Sequence, residues 1–318
     1  MELSFGRGVD QVSPETRIAE GFARRVVNFD ATNDQRLVKR GGVTLKYSGS
    51  QAHSCWADPE SDQGYFVAAG TLYAYAPDQT PTAIVTGLSP ALPISFCEVA
   101  GTVYWSNGVQ SGRISANVNT DWAPTTTTGP LGQTYLPMVA GTIVRYYRGR
   151  IYVVQGSVLW ATNAMDYSKV DAARGFMQFE HEITLFEPVV EGCFIGTRGD
   201  GVRFLSGHDF NKFDLRNADS QEAVARSGLS VDGAIFDSPG QGAVWFTKRG
   251  WVFGDVQGGT KRLTDKTVAL PEYESACAIM REQNGMRQVV NFVRGGSESA
   301  GASDILTSEV IRNGVLLV

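Results

Sequence analysis

Charge is sparse in this sequence. Asp, Glu, Lys and Arg make up 19% of the residues, and 28 basic against 33 acidic side chains leave a formal net charge of −5. Gripping nucleic acid by its phosphates needs a concentrated basic face, so the balance argues against that activity but not against a duct that a polyanion passes without being held. Histidine is scarcer still. His53, His181 and His208 stand far apart with no HxxxH or HExxH spacing, so no metal site, and no cofactor, is expected. The four cysteines, Cys55, Cys97, Cys193 and Cys277, form no CxxC pair and sit in apolar or strand-like settings such as Ile94-Ser-Phe-Cys97. They read as free, buried thiols of a protein that folds in a cytoplasm. The opening Met1-Glu-Leu-Ser-Phe5 lacks the charged-then-apolar pattern of a signal peptide. No stretch approaches the ~20 apolar residues that span a bilayer as a helix.

Glycine and aromatic residues are plentiful: 36 Gly, 16 Phe, 11 Tyr and 6 Trp. Gly supplies the positive backbone dihedrals of tight hairpins, and aromatic side chains suit the pleated surface of a sheet. One pattern recurs, a Gly followed by four to six apolar positions, a small turn and a second apolar strand. It is clear in Gly64-Tyr-Phe-Val-Ala-Ala-Gly-Thr-Leu-Tyr-Ala-Tyr75 and Gly149-Arg-Ile-Tyr-Val-Val-Gln-Gly-Ser-Val-Leu-Trp160. The leading glycines are Gly64, Gly101, Gly149, Gly192, Gly242 and Gly285. Their spacing of roughly 44 residues is that of propeller blades, which bury both faces only by stacking on neighbours. The expected fold is therefore all-β: a β-propeller of about six blades (five to seven) in one body. Residues 1–42 form an extended N-terminal segment, 43–294 the repeats, and 295–318 a Gly/Ser hinge with a strand-like tail. Thr82–Val85, Thr142–Tyr147, Met177–Phe179 and Gly233–Phe236 supply further strands. Ser220–Arg226 and Asp166–Gly175 are the two stretches with some helical signal, and Asp121–Gly132 reads as a connector. The tail either closes the ring or docks on a neighbouring subunit.

Chemistry-bearing patterns are weak. Paired carboxylates facing each other would suit a glycosidase. Asp58, Glu60 and Asp62, however, lie in a polar turn, and Glu180, Glu182 and Glu187 follow the alternation of a half-exposed strand. No Gly-x-Ser-x-Gly elbow occurs. Arg198-Gly-Asp200 lies between two strands, where Gly-Asp-Gly is ordinary hairpin chemistry. Arg145-Tyr-Tyr-Arg-Gly-Arg150 interleaves basic and aromatic residues as stacking platforms do, yet falls at a strand-turn-strand. Trp56, Trp105, Trp122, Trp160, Trp245 and Trp251 recur at strand positions that mark core packing. No catalytic residue is assigned, and the chain does not read as an enzyme.

The N-terminal segment adds a resemblance. Val26-Val-Asn-Phe-Asp30, then Arg36-Leu-Val-Lys-Arg-Gly-Gly42, then hairpin repeats, resembles the opening of a class of bacteriophage tail proteins, and Pro14-Glu15 to Gly21-Phe-Ala-Arg24 fits it too. These are nozzle, hub or tail-tube-associated components that assemble as rings around the DNA exit path. The resemblance implies a structural role in the virion, assembled in the host cytoplasm. Its implied partners are copies of itself and other tail proteins, with DNA passing without specific binding. Arg24, Arg25, Arg36, Lys39 and Arg40 become candidates for inter-subunit ion pairs. A carbohydrate- or host-surface-binding propeller is the alternative, with exposed Trp56 or Trp122 as its sign; a glycoside hydrolase is the remaining one.

Overall fold

The computed structural model describes residues 8–10, 13–23, 29–31, 37–39, 47–49, 51–58, 61–77, 79–122, 125–207, 210–264, 275–283, 286–294, 308–312 and 315–317. The expected all-β class is what it shows. Among the described residues there are six four-stranded antiparallel sheets, each a meander of strands consecutive or nearly so in the chain.

Sheet I runs His53–Ala57, Gly64–Ala68, Thr71–Tyr75 and Thr82–Val85, and sheet II Ser95–Val99, Thr102–Ser106, Ser111–Ser115 and Val118–Thr120. Sheet III comprises Ile143–Tyr147, Arg150–Gln155, Val158–Ala161 and Phe176–Gln178. Sheet IV follows with Ile183–Val189, Gly192–Thr197, Val202–Ser206 and Asp214–Asp219, then sheet V with Leu229–Asp232, Gln241–Thr247, Gly250–Gly254 and Thr260–Arg262. Sheet VI holds Ser275–Gln283, Met286–Arg294, Ser308–Arg312 and Val315–Leu317. The leading glycines of the sequence repeat mark the second strand of sheets I to V: Gly64, Gly192 and Gly242 lie in it, and Gly101 and Gly149 in the turn before it. Gly285 lies outside the described residues, next to the second strand of sheet VI.

The turns explain the glycines. Ala69-Gly70, Ala100-Gly101 and Arg148-Gly149 have φ of 47° and 73°, 51° and 77°, and 45° and 75°. Each is the two-residue loop of a hairpin whose flanking residues pair, Ala68 with Thr71, Val99 with Thr102 and Tyr147 with Arg150. Positive φ at both central residues is the type I′ turn, whose twist matches that of the strands it joins.

The chain divides into two compact units, residues 43–183 with 208–212, and residues 1–42 with 184–207 and 213–318. In the first, sheets I to III stack face to face. Val103 and Trp105 on the second strand of sheet II point into a core with Tyr65, Val67 and Leu72 of sheet I. Tyr104, between them, points the other way into a core with Val144, Ile151 and Val153 of sheet III. The second unit repeats the device. Ala243 and Trp245 of sheet V pack on Leu185, Phe194 and Phe204 of sheet IV. Val244 and Phe246 pack on Ala276 and Val289 of sheet VI. A middle sheet buried on both faces needs a continuous apolar run rather than alternation, which is why Gly242-Ala-Val-Trp-Phe246 and Gly101-Thr-Val-Tyr-Trp105 read as they do. Serial stacking of four-stranded meanders is how propeller blades pack.

Several local expectations fail, each to a tertiary or side-chain bond. Gly233–Phe236 is a 3₁₀ turn rather than a strand, because the Asp232 carboxylate accepts from the Ala234 amide at its start. Asp166–Gly175 contains the strand Lys169–Asp171, which leaves sheet III to pair with Thr134–Pro137 in a three-stranded sheet completed by Thr127–Thr128. Thr127–Thr128 thus puts a short strand inside the expected connector. Ser220–Arg226 forms no helix: Val224 N–H donates to Phe246 O, Ala223 bridges Thr247, and Arg226 turns the chain at φ 64°. Propensity over so short a stretch is outweighed by such bonds.

At the ends, Gly8–Val9 pairs in parallel with Phe22–Ala23, and Phe29–Ala31 antiparallel with Leu37–Lys39. The hinge expected at 295–302 lies outside the described residues. Beyond it, Ser308–Arg312 pairs with the second strand of sheet VI and Val315–Leu317 with Ser308–Arg312, so the tail adds two strands to its own chain's last sheet. Among the described residues no helix is long and apolar enough to cross a membrane.

Candidate functional site

A polar cleft lies in the second unit, where the Thr197–Gly201 turn of sheet IV meets the end of its outer strand. The strand pairing makes it. Arg203 pairs with Asn217, so regular pairing would place Ala218 opposite Val202; instead Val202 faces Asp219. Ala218 is the extra residue of a β-bulge, a device that re-aims side chains. The bulge turns Asp219 onto the face that holds Val202 and Phe204, and its side chain is only 2% exposed.

Burying a carboxylate needs compensation. Asp219 Oδ1 accepts from Arg262 Nη2 at 2.8 Å, out of sheet V, and from the Gln221 amide at 2.9 Å. Thr260 Oγ1 adds a second tie between the sheets by donating to Ala218 O at 3.0 Å. Asp219 Oδ2 is buried and accepts no hydrogen bond. Nearby, Asp200 Oδ2 accepts from Arg203 Nη2 at 2.6 Å and Asp200 Oδ1 from the Gly201 amide at 2.8 Å. Asp200, Gly201, Arg203, Asn217, Ala218, Asp219 and Ser220 line a cleft of about 250 Å³. Both carboxylates in it are matched by a guanidinium, and Asn217 and Ser220 are exposed at its mouth.

The residues singled out in the sequence are dispersed. Of the basic cluster, Arg24, Arg25, Arg36 and Arg40 lie outside the described residues, and Lys39 is exposed at the end of its strand. His181 is exposed and His208 lies outside the described residues. His53 is half-buried, with Nδ1 2.7 Å from Ser54 Oγ, and burial lowers its pKa. Among the described residues no three His, Cys, Asp or Glu side chains converge as a metal site would require.

Asp58 sits in its expected turn, accepting from Ser61 Oγ at 2.8 Å, with Asp62 exposed beside it and Glu60 outside the described residues. Glu180, Glu182 and Glu187 do not share the half-exposed strand expected of them. Glu180 and Glu182 are exposed in the link between sheets III and IV, where the Phe179 and Ile183 amides donate to Ser157 and Gly156. Glu187 is buried within a strand whose residues are all buried. The cause is that Ile183–Val189 is buried on both faces, so alternation does not apply to it.

Arg198-Gly-Asp200 is the hairpin turn, with Gly199 at φ 73° and Asp200 committed to Arg203 and Gly201. Arg145–Arg150 is the expected strand-turn-strand. Arg145 donates to Ser95 Oγ and Val144 O, Arg150 to Thr162 O, and Arg148 stacks over the Tyr147 ring at 5.1 Å. Trp105, Trp122, Trp245 and Trp251 are buried, as core packing requires. Trp122 Nε1 donates to Tyr167 O, and the half-buried Trp56 stacks with Tyr65 and Phe96. Neither has the exposed face of a sugar platform.

The cysteines are free, but only two of the expected four are buried: Cys97 and Cys193, whereas Cys55 and Cys277 are exposed. Cys55 and Cys277 lie in the first strands of sheets I and VI, where apolar sequence neighbours point to burial but the side chains are exposed. Burial pushes the Cys97 thiol up to about 12.

Asp219, Asn217, Ser220 and Arg262 were not legible as a set. The sequence cue is slight: polar Asp214, Arg216 and Asn217 with apolar Leu215 and Ala218 break the period of two, as a bulge does.

No family model matches the chain, and no curated protein matches it. Among solved structures, a chain of BBS1N in complex with ARL6DN aligns at TM-score 0.45 and 11% identity, covering 74% of this chain and 72% of that one. A second structure of the same complex gives 0.43 and 9%, with 79% and 91% covered. A chain from the S. cerevisiae structure of a dbp5 variant bound to nup159, a gle1 variant, IP6 and ADP gives 0.43 and 9%, with 73% and 71% covered. Likenesses this low assign no role.

Proposed function

We propose that the chain is a structural component of a bacteriophage tail, of the nozzle, hub or tail-tube-associated class, whose copies form a ring around the DNA exit path. The observation that carries this reading is the opening of the sequence: Val26–Asp30 and the basic Arg36–Gly42 stretch, followed directly by hairpin repeats. The build of the body supports it. Sheets packed on both faces are rigid, and rigid sheets suit a platform whose loops and termini touch neighbours.

The role asks for no reaction. Arg145 and Arg150, the most suggestive basic groups in the repeats, are spent on local structure. A net charge of −5 suits a passage for DNA, since a basic lining would hold phosphates and slow transit. Arg24, Arg25, Arg36, Lys39 and Arg40 are assigned to ion pairs with neighbouring copies or other tail proteins. The place of action is the virion, assembled in the host cytoplasm.

Light scattering on the purified chain over a wide concentration range tests the reading. It predicts a discrete oligomer that weakens when Arg36 and Arg40 are reversed to Glu. A monomer at every concentration, with or without the charge reversal, contradicts a self-assembling ring.

A further inference from the structure

We propose that His53 and Ser54 form an acid-sensitive latch on the link between sheets I and II, closed while His53 is neutral and released when its ring takes up a proton. The first strand of sheet I sets the geometry. His53 pairs with Val67 but Trp56 with Tyr65, so one strand advances a residue further than its partner. The extra residue makes a β-bulge. Within it Ser54 has φ 56°, the left-handed region that a non-glycine residue enters only at a cost. The bulge gives Ser54 Oγ two partners: it accepts the Ile94 amide at 2.7 Å, at the end of the link, and stands 2.7 Å from His53 Nδ1. One hydroxyl thus joins the ring to the link. The link itself is lightly held. Leu88 N–H donates to Gly70 O at 2.9 Å at its start, and Leu92 N–H reaches Ser89 O at 3.4 Å within it. Pro90 and Pro93 have no N–H to give. Leu88 and Ile94 are buried at the two ends, with Pro90, Ala91 and Pro93 exposed between them. Segments with so few backbone bonds open locally at low cost.

The protonated ring does not fit this site. His53 Nε2 is buried and has no hydrogen-bond partner. A charged imidazole carries an N–H on both nitrogens. Its Nε2–H would be buried without an acceptor, and Ser54 Oγ would have to accept from Nδ1 and the Ile94 amide together. A buried charge with an unmade hydrogen bond is costly. Opening the link gives Nε2 access to water and lets Ser54 leave its left-handed backbone. The link 86–94 carries no titratable side chain that could compensate. On sheet I, Cys55 is exposed, Tyr65 is buried in the core, and Asp58 lies past the far end of the strand. On sheet II, Cys97 is buried in the core shared with sheet III, and Glu98 accepts from the Gly101 amide. Burial lowers the pKa of His53, and the Pro90 carbonyl opposes it less strongly. With the closed-state pKa below the ordinary ~6.5, the latch is at full strength above about pH 6.5 and weakens as pH falls below it. All of these residues lie within one unit, and the inference is independent of ring assembly.

The test is hydrogen exchange of the full chain from pH 8 down to pH 5, each rate corrected for the intrinsic pH dependence of amide exchange. The Ile94 amide, whose proton goes to Ser54, reports the latch directly. Its opening is expected to rise as pH falls, by up to about thirtyfold, the limit set by an imidazole of pKa ~6.5 in the open form. The Ile151 amide of sheet III, held by Thr162, is expected to stay unchanged over the same range. In His53→Asn, which keeps a hydrogen-bonding side chain but takes up no proton, the Ile94 amide should open equally at every pH. NMR titration of the His53 ring in the wild-type chain keeps the test open should that variant fail to fold; the ring is expected to titrate below pH 6.5. Opening at Ile94 that does not change with pH overturns the proposal. So does an equal rise in His53→Asn, an equal rise at Ile151, or a ring that titrates at or above pH 6.5.

Discussion

Replacing Thr162 by Val tests the packing logic at one atom. Thr162 is fully buried, and its Oγ1 accepts the Ile151 amide at 2.9 Å on the second strand of sheet III, while its own amide donates to Ile151 O at 2.9 Å. Sheet V repeats the arrangement: Thr264, 1% exposed, accepts the Trp251 amide at 2.9 Å, and the adjacent Leu263 amide donates to Trp251 O. The hydroxyl thus supplies the acceptor for a strand amide that the sheet ladder leaves over. Val keeps the shape and removes the acceptor, so a buried N–H is stranded at a cost of about 1–3 kcal/mol. Ser keeps the acceptor and loses one methyl group, about 0.8 kcal/mol. Unfolding entropy of about 2.1 cal/mol/K per residue over a cooperative unit of roughly 150–300 residues converts 2 kcal/mol into a Tm shift of about 3–6 °C. Urea unfolding followed by tryptophan fluorescence, with the slope checked for constancy, gives the comparison. T162V is expected to be the less stable of the two. A T162V protein within about 0.5 kcal/mol of wild type, or T162S less stable than T162V, refutes the reasoning.

Gly141→Ala is expected to cost about 1–3 kcal/mol or prevent folding, because its Cβ would stand 2.2 Å from the backbone oxygen of Val154; soluble yield and urea midpoint measure it. Cys97 gives a pH dependence. Its thiol pKa is raised from about 9 to about 12 by burial, so the stabilisation from keeping it neutral is complete below pH 9 and lost as pH rises towards 12. The stability gap between wild type and Cys97→Ala should therefore narrow over that range; a gap that widens would show the sign to be wrong. Ending the chain at Arg294 removes two strands of sheet VI. The truncated protein should lose cooperative unfolding of that sheet in hydrogen exchange, and unchanged protection of residues 286–294 would contradict the pairing.

What was legible in the sequence is what local chemistry dictates. The Ala100-Gly101 and Arg148-Gly149 turns place the second strand of sheets II and III, and the apolar runs that begin at Gly64, Gly192 and Gly242 place it in sheets I, IV and V, because a type I′ turn and a doubly buried strand both leave a mark in composition. The elements missed are those set by distant partners. Lys169–Asp171 leaves its sheet for Thr134–Pro137, and the Val224 amide is tied to Phe246 O; neither partner lies within the window that a propensity reading covers. The cleft was missed for the same reason. Asp219 becomes a buried acceptor only through a bulge counted against Val202 and an arginine from another sheet. Glu187 looked like its exposed neighbours Glu180 and Glu182 until the strand proved to be covered on both faces.

The central claim, that copies of this 34.4-kDa chain form a closed ring, is tested most directly by electron microscopy of the purified protein. Class averages with one fixed rotational symmetry and an open centre wide enough for duplex DNA are the predicted result. Single isolated particles, or open chains of variable length, at every concentration and salt condition would contradict it.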